Sequence, residues 1–367
     1  MSLPPRPEIE NLKICPHGAL NYAELRAVGI APESVIDFSV CTNPFMPPPR
    51  IRKMLSSIAI KQYPDCETIE LRERLSEKLQ VSPENILVGN GTTELIRLIA
   101  LAYFRPGDFV LILEPTYGDY EVACQIAGAK LVKQWTGAEN NFVPKIAETD
   151  RLIKEYHPRA VFICNPNNPT GKYLSRQNIE MVLAAINDGL LILDEAYLAF
   201  VEKTWYSLDL ASQGNVVILR SMTKEYGLAG IRLGYAIAGQ DIIANLRRVC
   251  PPWNVNVIAQ KVGAEVLQDV EYLEKTRQKI KEAKEYLIKE LSRLGFQLIP
   301  SEANYFLMQV GDAKSFRTIL LRHGIQVRDC ASFRLPEYVR IAPRTMPECK
   351  KLIATIGELM KKGGSSF

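Results

Sequence analysis

Apolar runs too short to cross a membrane, alternating with stretches of helical periodicity, set the strongest limit on how this chain folds. They lie at 86–88, 109–113, 160–164, 190–193, 216–219 and 234–238. A run that is apolar on both faces belongs to a strand covered on both sides, and helices between such strands return the chain parallel to itself. The pattern predicts an α/β unit with a mostly parallel sheet, covered by helices such as 93–103 and 178–188.

From about Asp241 the texture changes. A long charged helix is expected over 270–294, with short strands at 297–298, 305–309, 325–328 and 339–341, which describes a smaller α+β unit. The proline-rich stretch 43–49 reads as a linker or arm, since proline brings no amide hydrogen to a sheet ladder. A length of 367 residues suits two domains. The expected division is an N-terminal arm with part of the small domain over 1–47, a large domain over 48–250 and a small C-terminal domain over 251–367.

Composition narrows the function classes. With 47% hydrophobic and 23% charged residues the chain is that of a soluble globular protein. A formal charge of +4 without a long basic run argues against nucleic acid as a partner. The apolar runs are strand-sized, which argues against a membrane, and the N-terminal MSLPPRPEIENLK has prolines and charges where an export signal has an apolar core. Eight cysteines without a C-x-x-C pair and three histidines argue against a metal site and for reduced thiols in a cytoplasm.

Several of the apolar runs end in a cluster of chemically active residues. After 216–219 come Ser221, Thr223, Lys224 and Arg232: three donors for an anion and an amine for an aldehyde. After 190–193 come Asp194 and Tyr197; a carboxylate at the end of a buried strand needs a partner, which a protonated ring nitrogen would supply, and Tyr197 could reach a ring hydroxyl. The D-E pair also suits a metal or an ATPase, but no G-x-x-x-x-G-K-[ST] loop accompanies it. N-P-N-N-P-T-G at 165–171 is ordinary turn chemistry in an unusual place. G-N-G-T-T-E at 89–94 opens a helix whose free amides suit a phosphate. Taken singly, each cluster also has a plain structural reading.

In order, G-N-G-T-T-E, P-T-Y-G-D-Y, N-P-N-N-P-T-G, D-E-A-Y and S-M-T-K-x-x-G-L-A-G-I-R-L-G-Y resemble the class II aminotransferases of pyridoxal-phosphate (PLP) fold type I, over nearly the whole chain. The resemblance implies a seven-stranded, mostly parallel sheet and a homodimer with shared active sites. It implies that Lys224 forms an imine with the cofactor, that Asp194 pairs with the pyridine nitrogen, and that Asn168 and Tyr197 contact the ring oxygen. Tyr117 would stack on the ring. Gly91, Thr92, Thr93, Ser221, Thr223 and Arg232 would surround the phosphate, with Tyr63 arriving from the other subunit. Arg340 would clamp a substrate carboxylate.

Within that family two branches compete, both acting on phosphorylated substrates. The segment 223–232 is similar to that of histidinol-phosphate aminotransferases, while the runs at 16–21, 37–44 and 325–333 resemble the threonine-phosphate decarboxylases of cobalamin biosynthesis. The latter set favours decarboxylation of O-phospho-L-threonine to (R)-1-amino-2-propanol phosphate. On that expectation His17, Gly18, Asn43 and Arg328 bind the substrate phosphate and, with Asn168 and Arg340, turn its carboxylate out of the ring plane. The alternative is a histidinol-phosphate or related aminotransferase; a PLP-binding module without catalysis is a third, disfavoured by the intact set of active residues.

Overall fold

The computed structural model describes residues 3–10, 12 and 14–363. After a two-residue strand β1 (Ile36–Asp37), strands β2 (Ile86–Gly89), β3 (Phe109–Glu114), β4 (Lys130–Trp135), β5 (Ala160–Cys164), β6 (Leu190–Asp194), β7 (Val216–Ser221) and β8 (Gly234–Ala238) follow. β2 to β8 form one seven-stranded sheet in the order β2-β8-β7-β6-β5-β3-β4. Alternate residues feed opposite faces: Leu191 and Leu193 enter one core cluster with Val161, Ile163 and Ile218, whereas Leu190 and Ile192 enter the other with Phe162 and Val217. Both faces are therefore dry, which is why these runs carry no polar alternation.

Strands β3 to β7 pair in parallel, and β8 alone is antiparallel to its neighbours β7 and β2. Two reversals restore the direction, so β2 runs the same way as β7. The carboxyl ends of β2, β3, β5, β6 and β7 thus open on the edge where β8 begins. That edge is where ligands settle in open α/β sheets.

Strand β4 has no apolar run to announce it. Exposed or half-buried Lys130, Leu131, Lys133 and Trp135 surround buried Val132 and Gln134, the dress of an edge strand whose lysines discourage further pairing.

The second unit contains β9 (Leu298–Ile299), β10 (Phe306–Gln309), β11 (Ile325–Gln326), β12 (Arg328–Asp329) and β13 (Tyr338–Ile341). Four of these make an antiparallel sheet in the order β12-β13-β10-β9, while β11 pairs in parallel with β1. The strand expected over 325–328 is thus two strands in two sheets, parted at Val327, whose side chain is buried in the second unit's core. Pairing of β1 with β11 ties the early chain to this unit. Helix Val270–Arg293 buries Thr276, Ile280, Ala283, Leu287 and Leu291, one stripe of its surface.

A boundary after residue 250 falls short of the packing. Helix Val257–Val266 buries Ala259, Val262, Ala264 and Val266 in the cluster that holds Ile51, Leu71, Leu75 and Ile86, so its apolar stripe serves the large sheet. Among the described residues no helix is long and apolar enough to cross a membrane.

Because Leu193 is fully buried in the central strand β6, Leu193→Ala should lower unfolding stability by about 3 kcal/mol. Urea unfolding followed by far-UV circular dichroism reads this; a loss under roughly 1 kcal/mol would show a core that relaxes to fill the gap.

Candidate active site

Loops leaving the carboxyl edge bring one chamber together. Its floor is lined by Thr92, Thr93, Tyr117, Asn168, Asp194, Tyr197, Ser221, Thr223, Lys224 and Arg232, and its mouth by His17, Gly18, Arg328 and Arg340.

At the end of β6, Asp194 is 3% exposed, with Oδ2 accepting from the Tyr120 hydroxyl at 2.7 Å and Oδ1 from the Ala196 amide at 2.9 Å. Burial pushes its carboxyl above the ordinary range, and the Tyr120 hydrogen bond opposes the rise. Among the described residues no cation pairs with this carboxylate directly, Lys224 acting on it only from a distance, and a protonated ring nitrogen would be a direct partner. Lys224, on the short helix Met222–Glu225, lies with Nζ 5.6 Å from the centre of the Tyr197 ring. Burial pushes its amine below the usual lysine range; Cys41 and Asp194 oppose, while Arg340 and Arg232 reinforce. Reaction with an aldehyde needs a lysine of this kind.

The phosphate cradle is built by backbone as much as by side chains. Gly91 has φ +78°, and a Cβ there would stand 2.7 Å from an Arg232 guanidinium nitrogen. It precedes helix Thr92–Tyr103, whose first two residues line the chamber, and the free amides of a helix's first turn suit a phosphate. Ser221 and Thr223 hydroxyls are 2.7 Å apart and buried. Since β8 runs against its neighbours, Arg232, just before it, reaches the same spot. Amides, hydroxyls and a guanidinium around one space fit a phosphate; the lysine and the carboxylate fit a pyridine aldehyde. The residues present therefore suit PLP.

Arg340 on β13 is 5% exposed. It donates to Asn168 Oδ1 and, at 2.7 Å, to the Ser39 carbonyl; among the described residues its Nε has no hydrogen-bond partner and no carboxylate pairs with it. Arg328 donates to the carbonyls of Pro16 at 2.7 Å and His17 at 3.1 Å. Burial, then the nearby Arg340 charge, disfavour protonated Arg328. Gly18 is pressed against this region: a Cβ on it would lie 2.7 Å from the Ser39 carbonyl oxygen.

Two expected residues stand elsewhere. Asn43 makes no approach to the chamber: its buried amide donates to the Glu225 carbonyl at 2.8 Å and to Thr276 Oγ1 at 2.9 Å, and its backbone N–H donates to the Lys224 carbonyl at 2.7 Å. Where a substrate contact was expected of it, Asn43 is bonded as a brace for the lysine turn. Tyr63 is 78% exposed and stacks on Trp253 at 4.4 Å, outside the chamber of its own chain. Conversely, Tyr120 and Asp119 went unread as site residues although both lie in P-T-Y-G-D-Y; Tyr117, in the loop before the helix, meets Tyr120 of its first turn edge to face, rings 5.5 Å apart.

Residues 33–356 match the family described as aminotransferase class I and II. The chain belongs to that family. It is a PLP-dependent enzyme of fold type I. It is 34% identical over 343 residues to the histidinol-phosphate aminotransferase of Moorella thermoacetica, covering 91% of this chain and 87% of that one. In fold it is similar to the histidinol-phosphate aminotransferase of Sinorhizobium meliloti solved with pyridoxal-5'-phosphate, at TM-score 0.87, 22% identity and 97% coverage of both chains. It is also similar to the L-threonine-O-3-phosphate decarboxylase of Porphyromonas gingivalis, at TM-score 0.76 and 25% identity, over 88% of this chain and 99% of that one.

Lys224→Ala should abolish turnover together with the visible absorbance of bound cofactor; full activity in that variant would overturn the assignment of the lysine. Gly91→Ala forces an L side chain into the left-handed region at about 1–2 kcal/mol and crowds Arg232. Cofactor affinity should fall at least tenfold, measured by titrating PLP into apoenzyme.

Proposed function

We propose that this enzyme is an aminotransferase for a phosphorylated amine donor of the histidinol-phosphate kind, with a 2-oxo acid as acceptor. The observation that carries the proposal is Arg340: a buried guanidinium that has, among the described residues, an unpartnered Nε and no carboxylate beside it calls for an anion from the ligand. A carboxylate of the acceptor, or the phosphate of the donor, meets that need, and the relatives named histidinol-phosphate aminotransferases support the reading. PLP, when bound, supplies an electron sink for charge left at the substrate's Cα.

The chain's own groups divide the remaining work. Asp194, kept dry and fixed by Tyr120, would pair with a protonated ring nitrogen. Asn168 and Tyr197 would lie by the ring's oxygen and Tyr117 by its face, and Thr92, Thr93, Ser221, Thr223 and Arg232, with Gly91 beside Arg232, would hold the phosphate. Arg340 would bind the substrate's anion and so orient its Cα, and Lys224 Nζ, its charged form disfavoured by burial, would take the proton from Cα.

A second reading, decarboxylation of O-phospho-L-threonine, is favoured by one observation. His17, Gly18 and Arg328 gather at the mouth beside Arg340, giving places for a phosphate and a carboxylate on one substrate. Burial and Arg340 together disfavour the Arg328 charge, and an anion between them would relieve this. We further infer a homodimer, in which exposed Tyr63 and Trp253 meet the partner's chamber, and a cytoplasmic setting, in which all eight thiols stay free.

Two assays on the holoenzyme separate the readings: L-histidinol phosphate with 2-oxoglutarate, followed by glutamate, and O-phospho-L-threonine, followed by CO2. Glutamate without CO2 is expected. CO2 release without glutamate would replace the first reading by the second, and Arg340→Ala should cut kcat/KM at least 100-fold in either case, the loss of a charge-assisted bidentate contact.

A further inference from the structure

Asp119 is out of keeping with its surroundings. It is the first residue of helix Asp119–Ile126, is 4% exposed, and lines a chamber whose mouth collects arginines. An uncompensated carboxylate there would repel an anionic substrate and lose its own hydration for nothing. Its polar neighbours are Arg97, whose guanidinium nitrogen is 3.4 Å from Oδ1, His17, whose Nε2 is 3.4 Å from Oδ2, and the Tyr117 hydroxyl, near enough for the carboxylate to hold its proton on. Among the described residues Oδ2 accepts no hydrogen bond of good geometry.

His17 is held from two sides. Its main chain belongs to the second unit: Arg328 takes the carbonyls of Pro16 and His17, Gly18 abuts the Ser39 carbonyl, and the Ala19 amide donates to Ser39 Oγ at 2.9 Å. Its ring reaches the other way, to Asp119 and to a tilted contact 6.0 Å from the Tyr117 ring centre. The side chain is 53% exposed, and among the described residues Nδ1 has no partner.

We propose that Asp119 is a positioning residue for substrate-phosphate recognition: it holds the His17 ring by Nε2 so that Nδ1 presents a proton to the phosphate at the mouth. The proposal rests on the reading that the substrate is phosphorylated. An imidazole whose Nε2 pairs with a carboxylate and whose Nδ1 donates to a phosphate carries both protons, and its one positive charge is shared between two anions. Asp119 is thereby neutralised where it would otherwise repel, and a ring half in water gains a fixed direction. Arg97, behind the carboxylate, keeps it from turning toward the ligand.

The test uses holoenzyme carrying Asp119→Asn, His17→Ala and both. Steady-state rates are taken with L-histidinol phosphate and O-phospho-L-threonine and with their dephosphorylated forms. Asp119→Asn should raise KM for the phosphorylated substrate about tenfold, the scale of one charge-assisted contact, with kcat nearly unchanged. It should leave the dephosphorylated form untouched and have no further effect once His17 is Ala. Equal losses on both forms, or additive losses in the double variant, would overturn the proposal. Side-chain NMR gives a readout free of turnover, since the chain has only His17, His157 and His323 to resolve. Inorganic phosphate should shift the His17 resonances in the wild type and not in Asp119→Asn; an unmoved His17 in the wild type would also overturn it. If the wild type turns over neither phosphorylated compound, the substrate reading fails, and the phosphate titration alone decides the part played by Asp119.

Discussion

Charge kept out of water at one edge of the sheet is what the rest of this molecule is arranged around. Lys224, Asp194 and Arg340 are ions in places where an apolar group would cost nothing, and each is tolerable only beside a ligand that completes it. Burial pushes the lysine toward its neutral amine and the aspartate toward its neutral acid, opposite directions with one cause. A cofactor that offers an aldehyde and a basic ring nitrogen answers the first two of these demands, and Arg340 is left for an anion of the substrate. The dry sheet beneath them supplies the rigidity: strands covered on both faces move little, so groups at their ends keep their spacing.

The antiparallel strand β8 does more than fill a gap in that sheet. By reversing direction it brings Arg232 to the edge at which the neighbouring strands end, and by its second pairing it turns β2 so that Gly91 and the helix after it face the same space. Gly234, at the start of β8, lies so near this junction that a Cβ on it would stand 2.9 Å from the Thr92 amide nitrogen. One reversed strand thus joins the two halves of the phosphate cradle, which are more than a hundred residues apart in the chain.

Much of this was legible before any coordinates, because burial leaves a mark in composition. The inner strands are apolar up to their carboxyl ends, and those ends and the loops beyond carry the polar residues, so both the sheet and most of the expected cofactor contacts could be read together. Strand β4 escaped because an edge strand keeps lysines, and Val327 hid a break because a buried valine looks the same at the end of one strand as in the middle of another. Asn43 was placed on the substrate by resemblance, yet an asparagine amide serves equally as a brace between loops, and only the positions of Glu225 and Thr276 tell the two apart. Asp119 and Tyr120 show the converse. A helix that opens with a carboxylate looks capped, and nothing in its sequence says that the carboxylate faces a chamber.

The two anion sites differ in how firmly they are built, and that difference separates the reaction from the substrate. Arg340 stands on an inner strand of the small sheet and is fixed by Asn168 and the Ser39 carbonyl, so the group it holds keeps one angle to the ring. Which bond at Cα breaks depends on that angle. Arg328 and His17, by contrast, hold a strap of main chain whose ring is half in water and whose partners lie in both units of the chain. Side chains at such a mouth can change what is recognised without disturbing the chemistry below. On the function proposed above, the deep guanidinium would set the choice between moving an amino group and releasing CO2, whereas the strap would set which phosphorylated molecule is brought to it.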